Sequence, residues 1–189
     1  QDQLIGAAIT DGQHHVMLFS QNGKAVRFDE TNVRSMGRNA CGVRGIRLNE
    51  LDDRVNALLM INPKVDSTIL TATANGFGKR SSLSDYPVKG RGTQGVIAIK
   101  TSERNGLCVG ALQVFEDDDV VLISNRGRLV RTPASGISVV GRNTQGVGLI
   151  RLDKDEYLVS IEGINGIESI VEENAEEIFN LDVSDSSES

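Results

Sequence analysis

The sequence predicts an all-β protein of propeller type, assembled from four-stranded antiparallel blades, and three observations carry that prediction. A glycine-arginine cassette is written three times, as GRNACGV (37–43), GRGTQGV (90–96) and GRNTQGV (141–147), with starts 53 and then 51 residues apart. A turn glycine, Gly23, Gly76 or Gly127, precedes each cassette glycine by the same 14 residues. Short apolar runs flank every turn glycine, and no long amphipathic helical pattern interrupts them. A fixed period near 50 residues with four strand signals per period is the pattern of a propeller blade.

The elements follow in order. Residues 4–9 form an apolar strand candidate ahead of the first hairpin, outside any complete unit. In each unit an apolar strand (15–20, 68–73, 120–124) runs into the turn. Asn22-Gly23 and Asn75-Gly76 are hairpin signals, because glycine reaches the positive φ that a tight hairpin needs. Arg126-Gly127 keeps only the glycine. A second strand follows (24–28, 77–83, 128–132), then the irregular stretch with the cassette. A third strand (43–48, 96–101, 147–152) and a fourth (55–61, 107–115, 157–161) close three complete units. Pro63, Pro87 and Pro133 stand near strand ends or in loops, where a missing N–H breaks no ladder.

Three blades cannot close a wheel of ordinary size, so residues 1–163 are expected to be about half of a larger disc. A start at Gln1 rather than Met fits a piece of a longer protein. Residues 164–189 are acidic and end in a Ser/Asp/Glu-rich stretch. That tail holds too little apolar surface to offset its ordering entropy, and disorder is expected.

Composition narrows the function. Hydrophobic residues at 39% and charged residues at 24% describe a globular body. No apolar run is long enough to span a membrane and no signal peptide opens the chain. Cys41 and Cys108 occupy non-equivalent repeat positions without a CxxC spacing, which argues against a disulfide framework or zinc site and for a reducing cytoplasm. His14 and His15, the only histidines, sit together on one strand candidate and make no metal or catalytic pattern. Asp117, Asp118 and Asp119 fill a turn, and Gly76 to Lys79 lacks the spacing of a phosphate loop. No catalytic residue, metal site or small-molecule substrate is predicted.

The net charge of −6 hides an asymmetry. From residue 153 onward twelve acidic residues face one lysine, whereas the first 152 residues hold 19 bases against 14 acids. The bases recur in register. Arg38, Arg91 and Arg142 share one cassette position; Arg27, Arg80 and Arg131 lie four residues after the turn glycine; Arg47, Lys100 and Arg151 lie five after the cassette's second glycine. Lys24, Lys79, Lys89 and Arg128 add to them. Rows of cations one blade apart suit a polyanion, and duplex DNA carries a phosphate per roughly 1.7 Å of axis. The cassette glycines would let backbone N–H groups approach phosphate as well. The cassette arginines are expected to contact DNA; the two strand registers suit either DNA contact or bridges between blades. With aromatic residues at 4% and no tryptophan, stacking on single strands is disfavoured and backbone contact with duplex is expected.

Units that run from Asn-Gly-Lys-x-x-Arg (22–27) to Gly-Arg-x-x-x-Gly-Val-x-x-Ile-Arg-Leu (37–48, 141–152) resemble the C-terminal domain of bacterial DNA gyrase A, over roughly residues 1–163. The resemblance implies a six-bladed β-pinwheel, a disc whose blades exchange strands, and a role in wrapping duplex DNA for ATP-dependent negative supercoiling. It also implies that the catalytic tyrosine of this topoisomerase lies elsewhere in gyrase A and the ATPase, with its ATP and magnesium, in gyrase B. This fragment would hold no cofactor. Its partners would be DNA, the rest of gyrase A and gyrase B, joined in a heterotetramer in a bacterial cytoplasm at the nucleoid. The family's glycine-rich box of the form QRRGGKG is absent, as expected of the later blades. The corresponding disc of topoisomerase IV is a close alternative. A protein-binding propeller of the chromosome-condensation-regulator type is a more distant one.

Overall fold

The computed structural model describes residues 3–164; the acidic tail from 165 onward, where disorder is expected, lies outside the described residues. Three hairpins organise it: β1 (His15–Ser20) with β2 (Lys24–Asp29), β4 (Thr68–Thr73) with β5 (Phe77–Ser82), and β8 (Asp119–Ser124) with β9 (Leu129–Pro133). In each turn the glycine N–H donates to the carbonyl three residues back, and the glycine adopts a positive φ. A short 3-10 turn follows each hairpin, at Glu30–Asn32, Leu83–Asp85 and Ala134–Gly136. Strands β3 (Val55–Ile61), β7 (Cys108–Val114) and β11 (Leu158–Ile164) pair antiparallel with the first strand of their own hairpins. Because β7 packs between β3 and β11, these strands form the hub of the array.

The strand after the cassette does not stay in its own unit. β6 (Val96–Ile97) pairs with β2 of the preceding hairpin, and β10 (Val147–Gly148) pairs with β5. The sheets run β3-β1-β2-β6 and β10-β5-β4-β7, and the third runs β11-β8-β9 among the described residues. Self-contained four-stranded units are therefore corrected to sheets that borrow their rim strand from the next unit. That is the strand exchange a pinwheel requires.

The rim strands are also shorter than their apolar runs suggest. Beyond Ile97 the N–H groups of Ala98 and Ile99 both turn to the carbonyl of Gly23, and those of Leu149 and Ile150 both turn to Gly76. Two donors on one acceptor end the ladder there. Residues 43–48 contribute one bridge, Ile46 to Thr93, and residues 4–9 form no strand.

Alternation along the strands builds the core. On β1, Met17 and Phe19 face the second sheet and Val16 faces away from it. On β4, Ile69 joins Met17, Phe19 and Tyr86, while Leu70 and Ala72 join Val120, Leu122 and Ile137 on the other side. Each of these two apolar layers thus lies between two sheets and takes in the 3-10 turn of the later unit and its cap, through Leu83 and Tyr86 or Ala134 and Ile137. A unit cannot complete its core without its neighbour, which is the physical basis of repeat architecture.

Candidate nucleic-acid interface

Side chains bridge both junctions between units, and what each one touches sorts the three arginine registers. In the turn register, Arg27 Nη1 donates to the carbonyls of Leu83 (2.9 Å) and Tyr86 (3.2 Å). At the next junction Arg80 Nε donates to Ile137 O (2.9 Å), and its Nη1 donates to Glu116 (2.7 Å). Both side chains are buried, and burial lowers the Arg27 pKa. Of their two readings, the structure gives the bridge between blades. Arg131 holds the same register at the third hairpin, where it is exposed and paired with Asp119 at 2.6 Å.

Lys79 also leaves the set of surface cations. Its side chain is fully buried and donates to Ser81 Oγ (2.8 Å) and Gly141 O (3.0 Å). Burial first, then the neighbouring Arg142 charge, lowers its pKa to about 8. Arg128 is held by Arg151 O, Asp153 and, at 3.4 Å, Glu156.

The cassette arginines hold backbone. Arg91 donates from Nε to Asn32 O (3.0 Å) and from Nη1 to Arg44 O (3.2 Å). Arg142 donates from Nη1 to Ile97 O (2.6 Å), with its guanidinium 5.9 Å from the centre of the Tyr86 ring. Arg44 and Ile97 are equivalent, each six residues beyond its own cassette arginine. Arg38 is exposed and has no side-chain partner among the described residues. The second cassette glycine of the third unit is needed for strand packing: a Cβ on Gly146, at φ +78°, would stand 2.5 Å from Gly78 O of the host strand, so this glycine admits the rim strand.

The third register remains outside. Arg47, Lys100 and Arg151 are all exposed, and none makes a side-chain hydrogen bond or ion pair among the described residues. The backbone of the first two is fixed nonetheless: Arg47 N donates to Thr93 O and Lys100 N to Thr144 O, both at 2.9 Å. Each acceptor belongs to the next cassette. Lys89 is exposed and Lys24 half-buried, likewise without side-chain partners among the described residues. Beside Arg151 a cavity of about 600 Å³ opens between Phe77, Leu152 and Asp153.

One further cluster has no signal in the sequence. Asp11, His14 and Glu30 bring their ligand atoms within 4.8 Å of one another. Hydrogen bonds account for the arrangement: Asp11 accepts from Gln13 N and lies 2.8 Å from His14 Nδ1, while Glu30 accepts His14 N–H. They fasten the segment entering β1. His15 is half-buried, and its Nδ1 accepts from Arg27 Nε at 3.1 Å.

Comparison with known proteins agrees with this geometry unit by unit. The family described as DNA gyrase C-terminal domain, beta-propeller, matches residues 14–62, 67–114 and 118–165, one segment per hairpin, cassette and hub strand. The DNA gyrase A protein of Escherichia coli is 55% identical over 163 residues, covering 86% of this chain and 18% of that protein. Its Haemophilus influenzae counterpart is 50% identical over 189 residues, covering 87% of this chain and 22% of that protein. The chain therefore spans about a fifth of these relatives. A solved gyrase A C-terminal domain superposes with a TM-score of 0.74 at 30% identity, covering 81% of this chain and 51% of that one. The topoisomerase IV C-terminal domain superposes at 0.77 with 24% identity, covering 83% and 48%, a likeness of fold alone. With the family matched over all three units and these two relatives at 50% identity or more, this chain belongs to the DNA gyrase C-terminal domain family.

Proposed function

We propose that this chain is a non-catalytic, DNA-binding part of a gyrase A protein, which holds duplex DNA against its rim by phosphate contacts. The observation that carries the reading is the row of Arg47, Lys100 and Arg151, exposed and unpaired among the described residues, with Arg47 and Lys100 rooted in fixed backbone. A cation on a fixed backbone, once per blade, meets a repeating phosphate charge at little ordering cost. Arg44 and Lys89, exposed on the same stretches, extend the basic surface. In the holoenzyme the rest of gyrase A would cleave and rejoin DNA, and gyrase B would use ATP and magnesium. The setting would be the bacterial cytoplasm, at the nucleoid. Among the described residues no helix is long and apolar enough to cross a membrane.

Equilibrium binding of the 189-residue chain to a short duplex, titrated with salt, tests the reading. Contact with about six phosphates gives a slope near −5 in log K against log salt. A flat response would overturn DNA binding and favour a protein-binding propeller.

A further inference from the structure

We propose that the cassette arginines Arg91 and Arg142 are positioning residues, each of which aims the DNA-contacting cation of the preceding unit; this rests on the DNA-binding reading above. The contact cation and the arginine that aims it come from different units. Arg91 binds Arg44 O, three residues before Arg47, and Thr93 of the same cassette binds Arg47 N. One unit later Arg142 binds Ile97 O, three residues before Lys100, and Thr144 binds Lys100 N. The second and third cassettes thus each grip the preceding unit at two points, one three residues before the contact side chain and one at its own backbone N–H.

Residue chemistry in the three repeats separates the two roles. The contact register reads Arg, Lys, Arg, and a compact point charge is enough for a phosphate. The cassette register reads Arg in every copy. A planar fork is what spans Asn32 O and Arg44 O together, or reaches Ile97 O while lying over Tyr86. A lysine there keeps the charge and loses the grip. Blade-to-blade pitch, and with it the spacing of successive contact cations along DNA, is set by these grips.

The test compares lysine and glutamine variants of the two registers in the 189-residue chain, with a fluorescently end-labelled duplex read for affinity, salt slope and end-to-end distance. Arg91→Lys with Arg142→Lys should leave the salt slope within one ion of wild type. The same pair should weaken binding about tenfold, equivalent to one charge-assisted hydrogen bond, relax the DNA bend, and speed amide exchange at Arg47 and Lys100 in the DNA-free protein. Arg47→Gln with Arg151→Gln should instead make the slope about two ions shallower. The single Arg91→Lys variant, at an exposed position, supplies the Arg47 measurement if the double variant does not fold. Full retention of affinity, bend and amide protection in the lysine variants, with a slope about two ions shallower in Arg91→Gln with Arg142→Gln, would make the cassette arginines phosphate contacts and overturn the inference. A flat wild-type response would instead remove the DNA-binding reading beneath it.

Discussion

Arg80 and Arg131 occupy the same register of successive repeats, yet replacing each by alanine should have very unequal consequences. Arg80 is 3% exposed, and its Nε–H is the side-chain donor to Ile137 O. Truncation removes a charge-assisted hydrogen bond of about 1.5–3 kcal/mol and leaves a buried carbonyl short of a donor. It also removes the apolar stem from between two blades. Glu116 is 68% exposed and returns to water, so its share of the loss is small. The net expectation is a loss of about 2–4 kcal/mol. Arg131 is 60% exposed against a partly exposed Asp119, and such a pair contributes about 0–1 kcal/mol. Urea unfolding resolves the difference: at an m of about 2 kcal/mol/M, a 3 kcal/mol loss lowers the midpoint by about 1.5 M. Equal midpoints for the two variants, or an Arg80→Ala midpoint within error of wild type, would refute the bridging role.

Three further outcomes follow from the same geometry. The Lys79 pKa is lowered from 10.5 to about 8, so between those values the unfolded chain binds the extra proton and stability rises with pH. Lys79→Met should abolish that rise in a pH series of urea midpoints. Glu30 is held below its ordinary pKa by the Thr10 hydroxyl and the His14 N–H, and Glu156 by the Asp153 N–H and the Ser124 hydroxyl. Their stabilisation is complete above the ordinary carboxylate range and is lost as pH falls through the lowered values; Glu30→Gln with Glu156→Gln should flatten the acid limb of the same series. Gly76→Ala meets both a φ of +82° and a Cβ 2.6 Å from Ile150 O, whereas Gly127→Ala, at +75°, has open space. The second should cost only the left-handed backbone, about 1–2 kcal/mol, and the first clearly more by thermal unfolding.

The repeat, its turn glycines and its hub strands were legible because each is a local pattern copied at a fixed distance. Strand exchange came from the family resemblance alone. One rim strand per period appears in the sequence whichever sheet receives it, so periodicity is blind to a swap between neighbours. The arginine registers posed a similar problem, since three equal rows of positive charge differ only in what lies opposite them in the next unit. Two signals were nonetheless present. Lys79 aligns with Val26 and Val130, an apolar position of the hairpin, which marks it as a buried amine rather than a surface cation. Lysine occurs at Lys100 and at neither of the other registers, which separates a point-charge role from a forked one.

Whether the junctions act independently turns on Tyr86. In a stacked array, mutations at different interfaces add, because each unit touches only its neighbours. Arg27 and Arg80 serve different junctions, and on that ground the double alanine variant should lose the sum of the single losses, to within about 0.5 kcal/mol. Tyr86 crosses the boundary, however. Its carbonyl accepts from Arg27, its ring meets Phe19 edge-on at 6.3 Å, and Arg142 of the third cassette lies over the ring. Loosening the first junction therefore disturbs the platform of the second grip. A double-mutant cycle of Arg27→Ala with Arg142→Ala should show coupling above about 0.5 kcal/mol, while Arg27→Ala with Arg131→Ala should show none. Additivity in both cycles would mean that Tyr86 is a passive part of the core and that each blade junction stands alone.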